Sequence, residues 1–114
     1  MKQDKVLSLL GLAKRAGRVK SGNFQVMEAI RDGSARLAVI AEDTSAGSRK
    51  QIEDKCRYRS VPFIAYGSKE KLGSCTGTME RSCIVVCDDG FAEAIIQEIT
   101  KRIVDRDTNK QGDR

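Results

Sequence analysis

With 114 residues the chain has the length of one domain and can bury a core without disulfide or metal staples. A charged fraction of 32%, broken by periodic apolar segments, excludes a disordered polymer, and apolar runs of at most five residues fall far short of a membrane span. The formal charge is +5 with no histidine, which removes any Cys–His catalytic arrangement and makes a polyanion the partner class to look for.

The position of that charge says more than its size. Residues 1–36 carry eight Lys/Arg against three acids, whereas residues 37–104 carry ten of each sign. Asp4 stands beside the first lysines and charge returns by Lys14, so the start is not a secretory signal, and cytoplasmic residence is the expectation.

Val6, Leu9, Leu10, Ala13 and Ala16 recur at helical spacing and predict a first helix, stopped by Gly17. Val19 reads as the lone apolar residue of a short connector. Ser21 or Gly22 starts a second helix, with Val26, Ala29 and Ile30 as its apolar stripe and Gly33 as its end. Leu37 to Ala41 is a buried strand closed by two acids. Residues 46–59 are a charged, weakly amphipathic helix with Ile52 and Cys56 inward and a supporting Glu53–Arg57 pair. After Pro62, "FIAY" is a short strand and "SKEKLGSC" a short helix with Ser68 and Glu70 in its first turn. "SCIVVCDDG" supplies another core strand. Ala92, Ile95, Ile96, Ile99 and Ile103 make the cleanest amphipathic helix, and the apolar-free end reads as a frayed polar tail. Helices and buried strands alternate throughout, so the expectation is a single α/β domain over 1–104, helices on both faces of a small sheet, and a tail over 105–114.

The start of the second helix is the candidate site. A helix N-terminus presents unpaired N–H groups and a positive dipole end, which suit a phosphate. Gly22 permits close approach, Ser21 and Asn23 can donate to phosphate oxygens, and Lys14, Arg15, Arg18 and Lys20 cluster around the glycines. The plainer reading, in which Ser21 only caps the helix, explains the helix start but not the four cations. On a helical wheel Phe24 and Glu28 fall within about 40° of each other and away from Val26. Phe24 therefore points either outward, where it could stack on an unpaired base, or into a neighbouring loop; Glu28 opposes close phosphate contact at its turn.

Other chemistry is thin. Cys56, Cys75, Cys83 and Cys87 lack the paired spacing of a zinc site and read as buried or incidental thiols, so no metal and no cofactor is expected. Glu42–Asp43 and Asp88–Asp89 follow core strands, and such pairs are more often loop residues or helix caps than Mg²⁺ ligands. No phosphate-binding loop or dinucleotide fingerprint is present.

Taken together, "GRVKSGNFQVMEAIRDGSARLAVIAEDTS", "VPFIAYGSKEKLGSCTG" and "VVCDDGFA", in that order and spacing, resemble the L-seven-Ae/L-thirty-e family of ribosomal and kink-turn RNA-binding proteins, in its bacterial YlxQ-type branch. The resemblance covers roughly residues 5–100 and implies a three-layer α-β-α sandwich with a small mixed sheet and a non-enzymatic RNA-binding role. Kink-turn binders of the family dock the N-terminal end of the helix after the second glycine, reading sheared G·A pairs with an Asn or Lys, a Glu or Gln, and a Lys three residues later. Those positions fall on Phe24, Gln25 and Glu28, so one residue matches, one has lost its polar group and one has reversed charge. The family's second contact, a largely apolar loop, falls on Thr78, Met79, Glu80 and Arg81, where only Met79 offers much apolar surface.

The sequence thus predicts a cytoplasmic RNA-binding protein, associated with the ribosome or another RNP, with altered kink-turn specificity. Its partner is structured RNA rather than a membrane, and nothing demands more than a monomer. The alternative is a protein-interaction module on the same fold that has lost specific RNA binding; a small-molecule enzyme is a distant third.

Overall fold

The computed structural model describes the backbone of residues 4–112 and the side chains of residues 4–102. The elements follow in the order α1 (Lys5–Arg15), β1 (Val19–Ser21), α2 (Asn23–Asp32), β2 (Leu37–Ile40), α3 (Ala46–Arg59), β3 (Phe63–Ala65), α4 (Lys69–Cys75), β4 (Cys83–Val86) and α5 (Asp89–Gly112). Every expected helix and strand is present, and one strand was not expected. Val19 belongs to β1 rather than to a connector, because Val19, Lys20 and Ser21 pair antiparallel with Val86, Val85 and Ile84. Three residues show too little alternation to announce a strand; the pairing partner decides it.

The sheet order is β1-β4-β2-β3, with β1 and β2 antiparallel to β4 and β2 parallel to β3. Both central strands, β2 and β4, are buried along their whole length, which is why each reads as an unbroken apolar run. One face of the sheet, with Leu37, Val39, Ile84 and Val86, meets Val6 and Leu10 of α1, Leu72 of α4 and Ile95 of α5. The other face, with Ala38, Ile40, Cys83 and Val85, meets Val26 and Ile30 of α2 and Ile52 and Cys56 of α3. This is a three-layer α-β-α sandwich on a small mixed sheet. Ala92, Ile95 and Ile99 form the buried seam of α5, with Ile96 partly buried beside it, and Ile103 lies outside the described side chains.

Local signals fix the helix ends. Asp4, Ser45 and Ser68 cap α1, α3 and α4, accepting from the backbone N–H of Leu7, Ser48 and Lys71. Asp88 accepts from the N–H of Phe91 at the start of α5. As backbone, α5 runs on to Gly112, into the polar stretch expected to fray; neither glycine nor proline interrupts residues 91–111, so no local stop precedes Gly112.

Candidate nucleic-acid interface

The strand register gathers the candidate site at one end of the sheet. Ser21 at the end of β1 lies opposite Ile84 near the start of β4, and Ile40 at the end of β2 lies opposite both Cys83 and Ala65. The first turn of α2, the loop before β4 and the loops after β2 and β3 therefore share this end. Backbone bonds tie those loops together: Ala41 N–H donates to the Ser82 carbonyl at 2.8 Å, Glu42 N–H to Gly67 at 2.8 Å, and Arg81 N–H to Lys69 at 3.0 Å. Thr44 Oγ1 adds a bond to the Ser82 carbonyl at 3.0 Å.

Onto this frame α2 brings an open N-terminus. Its N-cap is Gly22, and no side chain bonds to its first N–H groups. Of the two starts expected, Ser21 or Gly22, the structure takes Gly22; Ser21 is held in β1, so the pairing that creates the strand also denies the helix a side-chain cap. Asn23, Phe24 and Gln25 are exposed, and of the two orientations open to Phe24 the structure adopts the outward one, 75% exposed. Glu28 is exposed one turn further along and faces Arg31 at 3.6 Å.

The loop of residues 76–82 is folded tightly onto α4. Thr78 N–H donates to the Gly73 carbonyl at 2.8 Å, and buried Thr76 donates through Oγ1 to the Leu72 carbonyl at 2.9 Å. A side chain at Gly73 would overlap the Met79 carbonyl, so the loop backbone packs directly on the helix. The loop holds Met79 out in solvent at 85% exposure, with Glu80 exposed and Arg81 half-buried beside it.

Of the four cations expected at the start of α2, Lys14, Arg15 and Arg18 do not converge there. Arg18 accepts through its carbonyl from Cys87 N–H at 2.7 Å, at the far end of β4 from Ile84. Four residues of extended chain separate Arg18 from Gly22, about 13 Å. Lys14 and Arg15 lie at the same far end, in the last turn of α1. Lys20, opposite Val85, is exposed on β1; hydrogen bonding from Ser34, with a smaller pull from Lys20, holds Asp32, at the end of α2, below the usual carboxylate range. These are neighbours in sequence that β1 holds apart. Arg81, expected at the second contact, does lie at the α2 end of the sheet, bonded through its N–H to the start of α4, which brings Lys69 and Lys71 to that end; sequence reading passed over the two lysines. The signal that could have found the two lysines was the capped start of α4 at Ser68, three residues beyond the end of edge strand β3.

Three of the four paired acids are engaged by partners within the fold. Asp43 accepts from Lys69 N–H at 2.8 Å, Asp88 caps α5, and Asp89 faces Arg36 at 3.2 Å. No metal-capable cluster of acids and cysteines occurs among the described residues. All four cysteines are free, and burial pushes the thiols of Cys56, up to about 11, and of Cys75 and Cys83 away from the reactive thiolate. Among the described residues no helix is long and apolar enough to cross a membrane.

Comparison with known proteins agrees with this architecture. Residues 4–96 match the profile of the ribosomal protein L7Ae/L30e/S12e/Gadd45 family. The chain is 41% identical over 88 residues to the RNA-binding protein YlxQ of Bacillus subtilis (strain 168), spanning 77% of this chain and 88% of that one. It is 31% identical over 91 residues to the RNA-binding protein YlxQ of Enterococcus faecium, spanning 80% and 87%. The solved structure of a protein with unknown function from Bacillus halodurans C superposes with a TM-score of 0.82 at 35% identity, covering 86% of this chain and 99% of the other. The Giardia lamblia 15.5kD RNA binding protein shares the fold, with a TM-score of 0.69 at 19% identity over 89% and 90% of the two chains.

Proposed function

The chain belongs to the ribosomal protein L7Ae/L30e/S12e/Gadd45 family, and on that premise we propose that it is a small, non-enzymatic, cytoplasmic RNA-binding protein of the YlxQ type. It acts as a monomer on structured RNA in the ribosome or another RNP, with a specificity shifted away from the standard kink-turn. One observation carries the reading. Among the described helices α2 alone starts without a side-chain cap, and exposed Phe24 and Met79 stand at that same end of the sheet.

Each group then has a role suited to its chemistry. The free N–H groups of Asn23, Phe24 and Gln25, with the Asn23 amide, hold a phosphate at the positive end of α2. Phe24 stacks on an unpaired base, a contact worth about 1–3 kcal/mol, and Met79 packs on a second apolar surface. Gln25 reads a base edge, and Glu28 accepts from an exposed base donor where a family member would place a lysine. Arg81 adds charge, while Thr78 and Glu80 frame Met79. A second reading, a module for a protein partner, draws on an open groove of about 550 Å³ between α2 and α3, lined by Met27, Gln51, Asp54, Lys55 and Tyr58.

Gel shifts with a kink-turn RNA, a plain duplex and a single strand test the proposal. Phe24 and Glu28 are exposed and outside the core, so the double variant Phe24→Asn with Glu28→Lys should fold normally and bind the kink-turn more tightly than the parent chain. No gain from that change would refute the docking register. Absence of any RNA binding below micromolar at low salt would leave the protein-module reading in its place.

A further inference from the structure

The cations that the fold carries away from α2 form a surface of their own. Lys14, Arg15 and Arg18 are all exposed, and none takes part in an ion pair among the described residues. The turn that presents them is fixed. Gly17 N–H donates to the Lys14 carbonyl at 3.0 Å and Arg18 N–H to the Ala13 carbonyl at 2.9 Å, with Gly17 at φ 75°. These are the two bonds of a Schellman helix end, whose last position commonly holds an apolar residue packed back on the helix. Here that position is an exposed arginine. Compensation of the helix dipole explains part of the charge, but the C-terminal end amounts to about half a unit of negative charge against three cations. The nearby acids are engaged elsewhere, Asp89 with Arg36 and Asp88 with the N–H of Phe91. The only large apolar side chain exposed beside the patch is Leu12, half exposed one turn before Arg15, so among the described residues charge outweighs apolar surface there.

We propose that Lys14, Arg15 and Arg18 form a second RNA contact, specific for duplex backbone rather than sequence, at the opposite end of the sheet from α2. The protein then bridges two RNA segments, one read at α2 and one held by its phosphates. This inference rests on the RNA-binding reading above for the first segment but not for the second. Its test uses the triple variant Lys14→Ala, Arg15→Ala and Arg18→Ala in two measurements. In the first, the salt dependence of binding to a plain RNA duplex should flatten, the slope of log K against log salt shrinking by about 2 to 3. In the second, protein saturating an immobilised kink-turn RNA should retain a labelled duplex, and the triple variant should stay on the kink-turn but retain none.

An unchanged slope in the triple variant overturns the second contact. So does equal loss of kink-turn binding and duplex retention, because that describes one continuous site. Competition by poly-glutamate as effective, charge for charge, as competition by duplex would overturn the assignment to nucleic acid. Failure of the α2 reading looks different: no gain in kink-turn affinity from Phe24→Asn with Glu28→Lys, with the duplex slope still flattened by the triple variant.

Discussion

Gly73 and Gly77 stand four residues apart in the same motif, yet for different physical reasons. Gly73 lies inside α4, where a Cβ would overlap the Met79 carbonyl; Gly77 has φ 72° and open space around it. Gly73→Ala should therefore push the 76–82 loop off the helix, costing about 1–3 kcal/mol in urea denaturation and displacing Met79 from the interface. Gly77→Ala should cost only the left-handed penalty, about 1–2 kcal/mol, much of it recovered in Gly77→Asn. Amide protection of residues 76–82 unchanged in Gly73→Ala would show that the close approach does not hold the loop. Both glycines were visible in the sequence as a spacing, but their different duties were not, since close approach is a property of the folded loop. The same holds for Phe24: its angular position on the helix was readable, while its outward orientation depended on which loops stand beside it.

At the scale of elements, the long periodic helices and the two apolar strands could be read directly, because burial on one face or both imposes a period. β1 could not, and it decided between Ser21 and Gly22 as the start of α2 and undid the expected convergence of Lys14, Arg15 and Arg18. The start of α1 carries a further device that periodicity does not announce. Asp4 caps the helix through Oδ1 while its Oδ2 accepts from the Tyr66 hydroxyl at 2.7 Å, joining α1 to the end of β3. Arg102 of α5 lies 3.7 Å from the same carboxylate. Burial, then the bond to Asp4, raises the Tyr66 phenol from 10.0 to about 12. Partial burial pushes Asp4 up, but Tyr66, the Leu7 N–H and Arg102 outweigh it and hold the carboxyl below 3.8. The signs follow: stability from Tyr66 is full below pH 10 and is lost as pH rises towards 12, and stability from Asp4 is full above pH 3.8 and is lost as pH falls below it. Tyr66→Phe should remove the alkaline loss in a denaturation series against pH, and Asp4→Ala should cost about 0.5–2 kcal/mol at neutral pH through the cap. An alkaline stability curve identical in Tyr66→Phe and the parent chain would show that the bond does not form.

For the whole molecule, the sheet both separates and aligns what the sequence interleaves. It places the α2 end and the α1 turn at opposite ends, and it divides the core into two clusters that share no buried residue. Net charge in the first third of the chain was legible as a polyanion signal, but the removal of Lys14, Arg15 and Arg18 from the start of α2 was not, since that depends on the direction in which β1 runs. The division of the core makes a quantitative claim. Ile30 of α2 and Ile95 of α5 are both fully buried, on opposite faces of the sheet. Ile30→Val and Ile95→Val should each cost about 0.5–1.5 kcal/mol by loss of one buried methyl group. With β2 and β4 between them and no shared neighbour in either cluster, the double variant should equal the sum of the singles to within about 0.3–0.5 kcal/mol. Ile30→Val should also weaken binding at the α2 end more than Ile95→Val, since Ile30 seats the helix that presents Phe24 and Gln25. A coupling well above that margin in urea denaturation would mean that the buried strands transmit strain from one face to the other. The two ends of the sheet could then not be treated as independent surfaces, because a change of packing beneath α1 and α5 would be felt at α2.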